Sequence, residues 1–291
     1  MDLVIVAFYT VCDDLLIQQG YQDDPRAKMS AAEVMTTALV AAELFGGNQQ
    51  RAQQLLKEQG YIPNMLSKTR FNRRLHQIAP MFQTLFESIA TGCKTQNPDQ
   101  LYVIDSYPVP ACDPIGISNA KLYQGEVWRG KITSKRRYFY GLKLHLMVTE
   151  SGVPVECFLT PGSCGDVLGL RCYRFDLPQG ATVYADRAYC NYGIEDALAE
   201  AGIMLKPLRK KNSKRQYKSW EVYIHHYHRK RIEVTNSLIT QRIPRSIHAV
   251  TAAGFEIKII VFLIATMITL IIKYTLATCV KITENVDEEI I

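Results

Sequence analysis

The sequence lacks several patterns that define other classes of protein. None of its eight cysteines belongs to a CxxC pair, which excludes a zinc ribbon built on paired thiolates. It has no GxSxG motif, the turn that carries the nucleophile of an α/β-hydrolase. Scattered cysteines in a chain of 291 residues predict free thiols rather than a disulfide framework. We therefore expect a protein of a reducing compartment.

The sequence does not predict a membrane-spanning segment either. The one membrane-like run, Ile259 to Ile272, has 14 uncharged residues between Lys258 and Lys273, whereas a spanning helix needs about 17 to 25. We predict that this run is a helix packed on a sheet. The apolar N-terminus has Asp2 where a signal peptide has Lys or Arg, so it predicts a core helix. We expect no membrane partner.

The chain has little excess charge of either sign. Lys and Arg number 34 against 28 Asp and Glu, and an excess of 6 does not by itself indicate a nucleic-acid partner. The bases are unevenly distributed, because seven of them lie within residues 206–218, where there is no acid. This density predicts contact with a phosphate backbone, and a solvated loop is the alternative. The bases that we expect to bind DNA there are Lys210, Lys211, Lys214 and Arg215.

Helical patterning dominates residues 1–96. Ser30 and Glu33 have the spacing of a capping box before an apolar segment that ends at Gly46. The later segment SKTRFNRRLHQI places several bases on one short helix and resembles a DNA-contacting helix. An ordinary amphipathic helix with a basic solvent face is the alternative. We predict a small all-helical N-terminal DNA-binding domain over residues 1–96, with contacts from Arg70, Arg73 and Arg74.

The pattern changes after residue 97. A short β-rich run, LYVIDS, is stopped by Pro108 and Pro110, and the alternating segment Gly141 to Thr149 begins a predicted hairpin with VPVECFLT. Further predicted elements follow in the order helix, strand, helix, strand and long helix: 167–175, 181–186, 193–201, 203–208 and from about 220. This order predicts an α/β fold, an RNase H-like mixed sheet flanked by helices, over residues 97–280. Residues 281–291 predict an acidic disordered tail.

Two acids close two of these strands. Asp105 and Asp186 each end a short strand, and in an RNase H-like sheet those strands are parallel neighbours whose ends share one crevice. Glu233 follows 47 residues after Asp186 on the long helix, with Arg229 one turn before it. In-line cleavage of a phosphodiester suits two divalent ions roughly 3.5 to 4 Å apart, which need oxygen ligands. We predict that Asp105, Asp186 and Glu233 are catalytic metal ligands.

Simpler explanations exist for each of these residues. An Asp after a strand is often only a turn or helix cap, which applies to Asp105 and Asp186 singly and to Asp166 in PGSCGDV. His225, His226 and His228 predict phosphate contact or plain surface rather than a metal site.

Three sequence blocks together resemble a known family. VIDSYPVP, YADRAY and RKRIEVTNSL are similar to the three blocks of the DDE transposases of bacterial insertion sequences. Their spacing, the helical N-terminus and the late run GFEIKIIVFLIA resemble the nine-eight-two family of those elements. The wider group often has a Tyr, Arg, Glu, Lys signature in the third block. This sequence matches it at Arg229 and Glu233 but has His226 and Thr240 at the other two positions.

The resemblance implies a transposase that binds the terminal inverted repeats of its element, cuts DNA strands and transfers the 3′-OH ends to target DNA. It implies two Mg²⁺ ions, for which Mn²⁺ can substitute, no small-molecule cofactor, and Asp105, Asp186 and Glu233 as the metal-binding triad. The resemblance also suggests that Asp166 lies near the site, for which a helix cap is the alternative. From its helix position Arg229 would either neutralise the Glu233 carboxylate or bind a DNA phosphate beside it, and Lys230 is expected to contact DNA. A homodimer on double-stranded DNA in the bacterial cytoplasm is expected. The alternatives are a host nuclease of the same fold, such as a junction resolvase, and a catalytically inactive DNA-binding relic.

Overall fold

A computed structural model of the chain describes residues 1–132, 136–243, 247 and 249–288. Within that range the side chains of residue 231 and of residues 278–288 are not described. The Cα positions divide the chain into two compact units, one of residues Met1–Phe86 and Glu256–Ile291, the other of residues Glu87–Phe255. Each unit is described separately. The functional domain boundaries predicted from the sequence stay a prediction.

The first unit is helical. Its capping box is confirmed: Glu33 N–H donates to Ser30 Oγ at 3.1 Å and Ser30 N–H donates to Glu33 Oε2 at 2.7 Å. Gly46 ends the same helix in the left-handed conformation that favours glycine. The first five helices along the chain are α1 (Asp2–Gln18), α2 (Ala31–Phe45), α3 (Gln49–Glu58), α4 (Lys68–Gln77) and α5 (Ala79–Thr95).

The apolar run near the C-terminus belongs to this helical unit, where it packs against helix α2; its predicted packing on a sheet stays a prediction. It forms the centre of helix α9 (Ala252–Glu288), and the Phe262 ring lies 3.0 Å from where a Cβ on Gly47 would be. Thr266 and Thr269 donate their hydroxyls to carbonyls one turn earlier, so this helix can be buried on several sides. Helix α2 supplies apolar partners, Ala38, Ala41 and Ala42 among them.

Helix α9 is longer than the run that predicted it. Its Ala252–Ala277 portion, 26 residues, is long and apolar enough to cross a membrane, but 72% of its most apolar window is buried inside the fold. A core helix has these properties too. The tail predicted to be disordered is helical as far as Glu288, and residues 289–291 lie outside the described residues. Adding residues to an existing helix needs only local hydrogen bonds, which explains the extension.

The second unit contains a mixed sheet, as predicted for an RNase H-like fold. The strand order is β2-β3-β1-β5-β6, and β4 pairs with β3. Strands β1 and β5 are parallel neighbours, whereas β1 and β3 are antiparallel. The strands are β1 (Leu101–Cys112), β2 (Arg129–Ile132), β3 (Arg137–Thr149), β4 (Pro154–Pro161), β5 (Thr182–Ala185) and β6 (Met204–Pro207).

Strand β1 continues past the two prolines that were predicted to stop it. Pro108 and Pro110 face Lys143 and Gly141 of β3, but the parallel pairing with β5 covers only Leu101 to Val103. Beyond that point one side of β1 has no strand partner among the described residues. A proline is tolerated on such an edge because its missing N–H removes no ladder hydrogen bond.

Three helices accompany the sheet: α6 (Asp166–Leu170), α7 (Tyr192–Glu200) and α8 (Ser219–Arg242). Helix α6 is shorter than predicted, and β2 was not predicted at all. Helix α8 lies on the sheet, because Ile232 is fully buried against Val103 and Tyr184. The Thr235 hydroxyl donates to the Gly152 carbonyl at 2.8 Å and fixes the helix to the β3–β4 turn.

Candidate active site

Neighbouring parallel strands bring Asp105 and Asp186 to the same edge of the sheet. Val103 of β1 is the register partner of Tyr184 of β5, and each aspartate follows two residues later. Both aspartates therefore lie just beyond the last parallel pair, and they are close enough for the Asp186 charge to act on Asp105. The predicted convergence of these two residues is present.

Asp105 is the most constrained of the acids. The Ser106 N–H donates to its Oδ1 at 2.8 Å, and the Asn236 side-chain amide donates to its Oδ2 at 3.1 Å. Burial raises the pKa of Asp105 to about 6, with smaller raising effects from the carboxylates of Asp186 and Asp166. The Ser106 N–H and the Arg229 guanidinium oppose that increase. The carboxylate is therefore costly to ionise without a nearby cation.

Arg229 lies between the carboxylates of Asp186 and Glu233. Its Nη1 lies 3.4 Å from Asp186 Oδ1, and its Nη2 lies 3.8 Å from Glu233 Oε1. The Arg229 side chain is 18% exposed, compared with 41% for Asp186 and 61% for Glu233. Helix spacing produces the contact, since Arg229 and Glu233 are one turn apart. Asp186 and Glu233 thus share one guanidinium, whose charge also acts on the Asp105 carboxylate.

The donor set fits a divalent cation by its chemistry. All three side chains offer oxygen ligands, which Mg²⁺ and Mn²⁺ prefer, and a cation would stabilise the buried Asp105 carboxylate. Within the described part of the chain, no three acidic, imidazole or thiol groups lie close enough to hold one ion together. Arg229 is the counter-ion of Asp186 and Glu233 in this arrangement.

Sequence reasoning missed several groups around Asp105. Asn236 lies seven residues after Arg229 on α8, so the helix period that linked Arg229 to Glu233 could have identified it. Ser106 is adjacent to Asp105, and its Oγ donates to Asp166 Oδ1 at 2.6 Å. Lys143 lies 3.3 Å from the same oxygen. The contact with Lys143 depends on strand register, which local sequence does not specify.

The basic residues of the loop after β6 fall into two groups, those paired with acids of α7 and those exposed to solvent. Arg215 makes a bidentate ion pair with Asp196 at 2.7 and 2.9 Å, and Arg209 makes one with Glu195 in which both side chains are 6% exposed. These two arginines hold the loop to α7. The other bases predicted to contact DNA near this site are exposed, namely Lys210, Lys211, Lys214 and Lys230.

The bases of α4 belong to the helical unit. Arg70 and Arg73 are exposed, whereas Arg74 forms an ion pair with Asp23 and its side chain is only 18% exposed. The ion pair gives Arg74 a structural role within the unit. The predicted DNA contacts of all three arginines stay a prediction.

The histidines of α8 differ from the sequence prediction. His226 is exposed, but His225 and His228 are buried with ring centroids 4.8 and 4.7 Å from that of Tyr184. The prediction of phosphate contact or plain surface is therefore wrong for these two. They share the face of α8 that carries Ile232, so they pack on the sheet as aromatic rings.

Comparisons with known proteins identify the family of this chain. The search of curated proteins gave no match. A solved piggyBac transposase synaptic complex with hairpin DNA is similar in fold, with a TM-score of 0.51 and 9% identity, covering 95% of this chain and 75% of that one. A Mos1 strand transfer complex matches with a TM-score of 0.25 and 12% identity over 78% of this chain and 83% of that one. The family model described as "Transposase DDE domain" matches residues 95–248, which include Asp105, Asp186 and Glu233 and make up more than half of the sequence. The chain therefore belongs to the family of transposases with a DDE domain.

Proposed function

We propose that this transposase binds the terminal inverted repeats of an insertion sequence, cuts DNA at those ends and joins the 3′-OH ends to target DNA. The proposal depends on one observation: Asp105 and Asp186 follow the last parallel pairs of β1 and β5, and Arg229 pairs with Asp186 and Glu233 while its charge acts on Asp105. Three carboxylates on one crevice suit phosphoryl transfer, in which positioning and charge stabilisation supply most of the catalysis.

Asp105, Asp186 and Glu233 would hold two Mg²⁺ or Mn²⁺ ions, which supply charge stabilisation for the attacking and leaving oxygens when bound. Asn236 and the Ser106 N–H orient the Asp105 carboxylate toward the crevice. Arg229, which is largely buried, would grip a phosphate oxygen of the DNA strand beside these acids.

Several exposed groups support DNA as the partner. Lys210, Lys211 and Lys214 are exposed close to one another in sequence, and Lys230 is exposed on the helix that carries Glu233. Such bases attract the phosphate backbone without reading sequence. The similar piggyBac structure is described as a complex with hairpin DNA, and we infer that this chain also binds DNA ends, as a homodimer.

The test is strand cleavage on a duplex that carries the inverted repeats flanking the gene, with Mn²⁺ as the metal. We expect wild-type protein to nick at the repeat ends, and we expect Asp105→Asn, Asp186→Asn and Glu233→Gln each to reduce nicking to the level without protein. Asp176→Asn is the matched control, because that carboxylate is 90% exposed. Absence of nicking by wild-type protein would favour an inactive relic. Preference for a four-way junction over the repeats would favour a resolvase.

A further inference from the structure

A chain of polar contacts lies behind Asp105. The Ser106 hydroxyl donates to Asp166 Oδ1 at 2.6 Å, and the Lys143 ammonium lies 3.3 Å from that same oxygen. Lys143 also donates to the Cys164 carbonyl at 2.6 Å. Three separate segments therefore meet at the Asp166 carboxylate: the middle of strand β1, strand β3, and the start of α6.

This cluster is partly shielded from solvent. The side chains of Lys143 and Asp166 are 19% and 26% exposed, so their ion pair is not an ordinary surface pair of negligible strength. Tyr189 is buried beside them, and burial together with the Asp166 and Asp105 carboxylates raises the pKa of its phenol well above the ordinary value. The phenol is therefore neutral and adds no charge to the cluster.

The contacts connect Asp166 to Asp105 through one residue. The Ser106 N–H donates to Asp105 Oδ1 at 2.8 Å, while the Ser106 side chain is held by Asp166. An anchored side chain limits rotation of the Ser106 backbone, and this fixes the direction of its N–H. Lys143 compensates the Asp166 charge and ties it to strand β3, which pairs with β1 along its length.

We propose that Asp166, with Lys143, is a positioning residue that acts through Ser106 to hold the Asp105 carboxylate in the orientation needed to bind a divalent cation. The inference rests on the proposed function, in which Asp105 is a metal ligand. Groups that orient a ligand in this way typically change metal affinity or activity by about 10- to 100-fold when removed. Asp166 itself touches neither substrate nor metal in this scheme.

The experiment is a double-mutant cycle with Ser106→Ala, Asp166→Ala and the combined variant. Binding of Mn²⁺ alone is measured by electron paramagnetic resonance, and nicking of repeat-end DNA is measured separately. We expect each single variant to weaken Mn²⁺ binding and slow nicking by about 10- to 100-fold. The combined variant should bind Mn²⁺ and nick DNA no more weakly than the more defective single variant, because both substitutions interrupt the same chain of contacts.

Conservative variants separate positioning from general damage to the fold. Asp166→Asn keeps a side-chain oxygen that can accept the hydrogen bond from the Ser106 hydroxyl. Ser106→Thr keeps the hydroxyl that donates it. Both variants should retain most of the Mn²⁺ affinity. Asp176→Ala removes an exposed carboxylate and should leave Mn²⁺ binding and nicking at wild-type levels. Thermal melting of each variant verifies that it is folded.

Two results would overturn the inference: wild-type Mn²⁺ affinity in Asp166→Ala, or a combined loss equal to the product of the single losses. Asp105→Asn distinguishes the two proposals. If Asp105→Asn still nicks, the proposed function fails. If it is inactive while Asp166→Ala is normal, only the positioning role fails.

Discussion

His225 is an imidazole enclosed by aromatic rings. It is 1% exposed, with ring centroids of Tyr184 and Tyr217 at 4.8 and 4.7 Å, and neither of its nitrogens has a hydrogen-bond partner among the described residues. Burial lowers its pKa from 6.5 to about 4, and the charges of Lys206 and Arg209 act in the same direction. The ring is therefore neutral in the folded protein at physiological pH.

This gives a pH-dependent contribution to stability. The unfolded chain binds the proton more tightly than the folded one, so stability is full above the unfolded pKa and is lost as pH falls from about 6.5 to about 4. His225→Phe keeps the aromatic ring and removes the titration. Measured by urea unfolding at several pH values, the free energy of unfolding of the His225→Phe variant relative to wild type should rise as pH falls. Identical pH dependence in both proteins would contradict the assignment.

Gly169 marks another close approach. A Cβ added there would lie 2.2 Å from Cε1 of the His145 ring, which is fully buried and stacked on Phe158 at a centroid distance of 4.7 Å. Moving the ring away would disturb the 3.0 Å hydrogen bond between its Nε2 and the Thr160 hydroxyl and its stacking on Phe158.

We expect Gly169→Ala to lower the free energy of unfolding by about 1–3 kcal/mol, the usual cost of overpacking. Gly92→Ala is the matched control. Nothing lies within 4 Å of its added Cβ, and it is a helical position, where Ala stabilises by up to about 1 kcal/mol. Thermal melting compares them, and equal melting temperatures for the two variants would show that the His145 contact is unimportant.

At the scale of elements, the loop between β6 and α8 has two groups of basic residues: arginines that hold the loop in place and lysines that are free to contact DNA. Arg209 and Arg215 are bound to acids of α7, which leaves Lys210, Lys211 and Lys214 extended into solvent. We expect each Lys→Gln change among these three to reduce the slope of log K against log salt for DNA binding by about 1. Arg215→Gln is the comparison and should change the slope less. Fluorescence anisotropy of labelled DNA at several salt concentrations measures this slope. Unchanged slopes in the lysine variants would exclude the loop from the DNA interface.

Elements with strong local signals were predictable. The start of β1 up to Asp105, strand β5 before Asp186, the hairpin and helix α8 follow from alternation and spacing, and these elements position the acidic residues. The continuation of β1 past Pro108 was not predictable, because it depends on which side of the strand lacks a neighbour. The Asp166–Ser106–Lys143 contacts were missed for a related reason, since strand register and a loop conformation create them. The packing partner of α9 was likewise not predictable, because an apolar helix can pack against a sheet or against other helices and its composition does not distinguish them.

At the scale of the whole molecule, residues from both chain ends build the helical unit. Phe262 of α9 is 1% exposed and lies in the same apolar environment as Ala38 and Ala41 of α2. Phe262→Ala should therefore cost about 3–5 kcal/mol of stability in that unit.

Hydrogen exchange locates the effect of this substitution. We expect faster amide exchange in α2 and unchanged exchange in strand β3, because the two elements belong to different compact units. Leu276→Ala on the same helix is the control, since that side chain is 50% exposed and should cost less than about 0.5 kcal/mol. Equal loss of protection in α2 and β3 would mean that the units unfold as one.

Helix α8 carries both the side chains that face the crevice and the side chains that pack on the sheet, so the two sets have a fixed angle to each other. One face seats His225, Ile232 and Thr235 on the sheet, and the adjoining face presents Arg229, Glu233 and Asn236 to the crevice. Inserting or deleting one residue between His225 and Asn236 would swing one set by about 100° against the other. Substitutions on the outward side can accumulate freely, but a change of length in this stretch would disconnect the acids from their sheet in one step.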